Sequence, residues 1–71
     1  LELAWADAVG PEWESQSRVL GLKRGVLEVE VASSVLVQEM KGFHLRRILR
    51  ALQEKLPAEK IREIRFRTGK M

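Results

Sequence analysis

Between Ser33 and Leu56 the apolar residues change sides of a helix. At about 100° of turn per residue, Leu36, Met40 and Phe43 fall together, while Leu45, Ile48, Leu49, Leu52 and Leu56 cluster roughly 150° away. No straight helix buries both stripes against one surface. The stretch therefore predicts a break at Lys41–His44, where Gly42 supplies permissive backbone; the alternative is one bent helix with some apolar residues exposed. Two helices follow from the break, about Ser34–Lys41 and about Phe43–Leu56, and each turns its own stripe, Leu49 included, toward a common core. Ser33 or Ser34 suits the N-cap of the first. Pro57 stops the second, because the residue before a proline is pushed out of helical backbone.

The flanking segments supply the surface on which those helices pack. Leu1, Ala4, Trp5 and Ala8 have helical spacing over Leu1–Val9, and Gly10–Pro11 ends that helix. Pro11 also suits the first turn of a new helical piece reaching about Ser15, with Glu12 and Glu14 favourable near its start. Trp5 is expected to anchor the core. Trp13 either covers the core edge or meets a partner as an exposed aromatic. Arg18–Leu22 and Val26–Ala32 read as a β-hairpin turning at Lys23–Arg24–Gly25. Leu27, Val29 and Val31 alternate with Val26, Glu28 and Glu30, and Leu20 and Leu22 share one face of the first strand. A last strand, about Glu63–Thr68, turns Ile64 and Phe66 inward, while Ile61 has the wrong parity and packs under the helix end from the loop. A right-handed crossover lays this strand parallel to the second. Outward Glu28 and Glu30 then neighbour Arg65 and Arg67, which makes the second strand the central one. The expected fold is α+β, in the order helix, strand, strand, helix, helix, strand, with a three-stranded sheet and helices on one face.

At 71 residues the chain is expected to be one small domain, 1–71, and its start at Leu1 suggests an excerpt or a processed product. With no cysteine, it has neither disulfides nor thiolate metal sites, and its stability rests on the core, which suits a reducing cytoplasm. No apolar run is long enough to span a bilayer, so no membrane association is expected. His44 is the lone histidine and reads as solvent-exposed or capping; without convergent ligands no metal site is expected. Glu28 and Glu30 share a strand face, but beside arginines they read as solvated ion pairs rather than an acid–base couple. The glycines form neither a dinucleotide fingerprint nor a phosphate loop. Neither an enzyme nor a cofactor is indicated.

The formal net charge of +3 permits an anionic partner. Arg46, Arg47 and Arg50 fall opposite the Leu45–Ile48–Leu49–Leu52 stripe with only Glu54 to offset them, whereas Arg65 and Arg67 are balanced by Glu28, Glu30 and Glu63. The helix face, with Lys41 just ahead of it, is thus the expected nucleic-acid contact. Binding there is expected to be electrostatic and weak, because few aromatics are free to stack on bases; only Trp13 and Phe43 lie outside the expected core, and both are candidate partner contacts.

Four runs, in this order and spacing, resemble the DciA family: Trp5–Gly10, Gly25–Ser34, Gln38–Met40 and Ile61–Arg67. The resemblance covers almost the whole chain. It implies a bacterial, KH-like domain of a factor that assists loading of the DnaB-type replicative helicase, with that helicase and single-stranded DNA as partners. Three features depart from the pattern. Leu36 stands where the family often carries an aromatic residue after a serine–serine–valine run. The glycine–x–x–glycine grip of KH domains is reduced to Gly42–Phe43–His44–Leu45, with only the first glycine. The cysteines that would support a zinc-ribbon reading are missing. The competing functions are a KH-like RNA-binding module in translation or ribosome assembly, and an interaction domain with no nucleic-acid affinity.

Overall fold

The computed structural model describes residues 1–69. Helix α1 (Glu2–Val9) and the short α2 (Pro11–Glu14) precede a hairpin of β1 (Ser17–Lys23) and β2 (Val26–Val31). Then come α3 (Ser34–Glu39), a π-helical segment (Met40–His44), α4 (Leu45–Lys55), a 3₁₀ turn (Pro57–Glu59) and β3 (Glu63–Thr68). The sheet order is β1-β2-β3, with β1 antiparallel and β3 parallel to the central β2. The α+β order and the crossover read from the sequence are both present.

The two mismatched stripes are reconciled by the π segment rather than by an interruption of the helical path. A π turn carries one more residue than an α turn. Leu36, Met40, Ile48 and Leu52 are the buried residues of this stretch. On an unbroken α-helix the second pair would sit roughly 120° from the first; one extra residue takes up roughly 100° of that and brings all four onto one arc. The extra residue has no place on this arc, and Phe43 is 89% exposed instead of joining Leu36 and Met40. The backbone irregularity falls at His44 (φ −121°, ψ −7°) rather than at Gly42. Leu49 is only half-buried at the core margin, so Ile48 and Leu52 carry the contact expected of it. Ser33 caps α3, its Oγ accepting from the Leu36 N–H at 3.2 Å.

A second inserted residue shapes the hairpin. The register runs Val19↔Val29 and then Gly21↔Glu28, a β-bulge that leaves Leu20 unpaired. Parity therefore changes within β1. Val19 and Leu22 pack against the core, while Leu20, expected inside with Leu22, is 41% exposed. Arg24 (φ 53°) and Gly25 (φ 81°) form the two-residue turn, both left-handed as a tight hairpin requires. A Cβ on Gly25 would lie 2.8 Å from the Lys60 carbonyl oxygen, because the Gly25 carbonyl accepts from the N–H groups of Arg62 and Glu63 as the chain enters β3.

The covered sheet face presents Leu27, Val29, Val31 and Ile64 to Trp5, Ala8, Met40, Ile48 and Leu52, with Ile61 closing the end from the loop. The Gln53 amide donates to the Ile61 carbonyl at 2.8 Å and ties that loop to α4. On the open face Glu28 pairs in register with Arg65, and Glu30 with Arg67, as expected. The close ion pairs are nevertheless Arg18–Glu30 at 2.8 Å and Arg65–Glu63 at 3.4 Å.

The alignment by one extra residue makes a direct prediction. Deleting Phe43 should convert the π segment to plain α-helix with the buried quartet still aligned, so stability in urea should stay within about 1 kcal/mol of the parent. Deleting Arg50, about two turns later, should rotate Leu52 off the core and cost about 2–5 kcal/mol. Equal losses from the two deletions would reject this account of the helix.

Candidate nucleic-acid and partner interface

Position in α4 decides which cations are free. With Ile48 and Leu52 buried, Arg46, Arg47 and Arg50 are turned to solvent. They line, with Ala51 and Glu54, a shallow groove of about 430 Å³. Among the described residues, none of the three arginines lies within ion-pair distance of a carboxylate; the pairs present involve Arg18, Arg65 and Lys55. The last of these joins Lys55 to Asp7 at 3.6 Å and ties α4 to α1. Lys41 is exposed on the π segment and lines neither this groove nor the cleft beside it.

That second concavity, of about 360 Å³, lies between the α1–α2 corner and the start of α4. Val9, Pro11, Glu12 and Trp13 form one side; His44 and Arg47 form the other. Arg47 borders both concavities, so the arginine groove and the cleft adjoin at this residue. Its Nη2 lies 3.1 Å from His44 Nδ1. A guanidinium only donates, so in a hydrogen bond between the two Nδ1 is the acceptor. His44 is half-buried rather than exposed, and makes no side-chain capping bond. Its ring meets that of Trp13 edge to face, with centroids 4.9 Å apart and planes at 84°.

Trp13 packs on the core edge and lines the cleft, so both alternatives read for it have a structural counterpart. Its position is fixed from below. Trp5 Nε1 donates to the Ser17 hydroxyl at 2.8 Å, and that hydroxyl donates to the Trp13 carbonyl at 2.7 Å. Ser17 is the buried polar residue of the core and is satisfied in both directions. Gly10 (φ 90°) turns the chain between α1 and α2 and delivers Pro11 and Trp13 to the cleft wall. Phe43 lines neither concavity and projects from the π segment.

Of the residues singled out in the sequence, the three arginines share one groove and Trp13 lines the cleft beside it, while Phe43 and Lys41 lie apart; the cleft as a unit is not legible in the sequence. From the sequence alone Glu12 is a helix-start residue and His44 a surface or capping one. The signal available was Gly10–Pro11 followed closely by a tryptophan, a turn that presents an aromatic residue beside a helix start.

A family model described as "Dna[CI] antecedent, DciA" matches residues 1–66. No curated protein matches the chain. No helix among the described residues is long and apolar enough to cross a membrane.

The Ser17 relay can be tested independently of function. Ser17→Ala leaves the buried Trp5 N–H without an acceptor and should cost about 1–3 kcal/mol in urea unfolding. A change below about 0.5 kcal/mol would mean that the relay does not hold Trp13 in place.

Proposed function

This chain belongs to the DciA family, which is connected with loading of the replicative helicase, and we propose that it acts as a non-enzymatic accessory domain that binds a DnaB-type helicase and, weakly, single-stranded DNA. The observation that carries the DNA half is the set of three solvent-facing arginines on α4, free of carboxylate partners among the described residues. Phosphates neutralised there release condensed counterions, which gives affinity without sequence preference. The sheet face is the poorer candidate, because Arg18 and Arg65 are engaged by Glu30 and Glu63.

The helicase half rests on family membership and on Phe43. An aromatic side chain 89% exposed on a helical segment offers a large apolar anchor that the fold itself leaves unused. We assign Phe43 to the helicase contact and the arginine face, with Lys41 as an outlying cation, to DNA. Leu36 is buried and takes no part in either.

For DNA, three phosphate contacts give a slope of log affinity against log salt of about −2 on single strands. Arg46→Glu, Arg47→Glu and Arg50→Glu combined should abolish binding and leave the thermal transition nearly unchanged, since all three side chains face water. Titration of labelled strands at several salt concentrations reads both effects. Full binding by the triple variant would move the contact elsewhere.

For the helicase, the chain immobilised as bait should retain the replicative helicase from bacterial lysate. Phe43→Ala should reduce that retention about tenfold or more, the size expected of an interface anchor. Undiminished retention by the variant would remove Phe43 from the contact.

A further inference from the structure

We propose that the cleft between Pro11–Trp13 and His44–Arg47 receives a base of single-stranded DNA whose neighbouring phosphates lie on Arg46, Arg47 and Arg50. This rests on the DNA reading above and extends it from charge neutralisation to stacking. Four features of the cleft carry it.

The first is adjacency. Arg47 borders both the arginine groove and the cleft, so a strand lying on the three guanidiniums runs beside the cleft. The second is the apolar lining: Val9, Pro11 and the half-buried Trp13 ring offer a surface on which any base, having a π face, can settle without sequence preference. The third is charge. Glu12 sits in the cleft opposite Arg47 and makes no ion pair among the described residues. Its carboxylate repels a phosphate or an acidic side chain that enters, and tolerates an uncharged base. The anionic part of the ligand is thereby left on the arginines outside. The fourth is that the wall is already built. Ser17 holds the Trp13 backbone, and His44 holds the Trp13 ring and the Arg47 guanidinium, so little side-chain freedom remains to be lost when a base enters.

Duplex DNA cannot offer such a base without unstacking it, so the cleft selects single strands where the arginines alone would not. The stacking partner expected to be scarce is thus present as Trp13, reached through His44 and Arg47 rather than through the exposed Phe43.

The test compares two labelled strands with the same number of phosphates, an oligothymidine and its fully abasic counterpart, at one salt concentration. The oligothymidine should bind about tenfold more tightly, a ratio within what one stacked base supplies. It should also quench tryptophan emission, and Trp13→Phe should remove that quenching, because Trp5 is only 2% exposed and out of reach. Equal affinity of the two strands, with binding still abolished by the triple arginine variant, would overturn the base cleft while leaving the arginine face in place. Failure of both strands to bind would remove the DNA reading and the cleft with it. Quenching by an acidic, apolar peptide and none by oligothymidine would overturn the proposal in favour of a protein occupant.

Discussion

One surplus residue in a helical turn decides how this chain packs. Without the π turn at Met40–His44, the helical stretch after the hairpin could bury either Leu36 and Met40 or Ile48 and Leu52, but not both pairs. Two buried side chains lost from a core of eleven is more than a 71-residue chain without disulfides can spare. The position of α4 against α1, and hence everything on the outer face of α4, depends on that turn.

The hairpin solves a similar problem with a similar device. The bulge at Leu20 changes parity within β1, so that Val19 and Leu22 both pack on the core although an even alternation cannot face them the same way. In both places the surplus residue is a large apolar one that ends up outside, Leu20 in the strand and Phe43 in the helix. Exposure of Phe43 thus has a folding cause before it has a functional one. A polar residue there would satisfy the same geometry, and that the chain carries phenylalanine instead is what supports a role in contact.

These two insertions also mark where the sequence ceased to be legible. Period-two alternation in β2, a left-handed Gly25 in the hairpin turn, the serine cap and the proline stop are local, and each appears at its expected place, although Lys23 pairs with Val26 and the turn is Arg24–Gly25 alone. Periodicity alone cannot tell a change of face caused by a break from one caused by an extra residue, so the disturbance at Lys41–His44 was visible while its form was not. In β1 the Leu20–Leu22 spacing looked like ordinary alternation, and only pairing with β2 reveals the bulge. The arginine face was readable because it is the complement of the α4 stripe. The cleft was not, because its walls come from Gly10–Trp13 and His44–Arg47, which no periodicity connects.

The placement of His44 joins the folding constraint to the candidate site. The π turn leaves His44 with a backbone (φ −121°, ψ −7°) outside the ordinary helical range, and there its ring reaches Trp13 while its Nδ1 accepts from Arg47. The residue that departs from helical backbone is therefore also the one that couples the aromatic wall to Arg47 on the arginine face. Backbone distortion within helices is often found at functional positions. Here a physical reason for the coincidence is at hand. The same surplus residue that aligns the buried quartet brings His44 to the α1–α2 corner, so the core and the cleft are set by one local event. A change that restored a regular helix would preserve the first and dismantle the second.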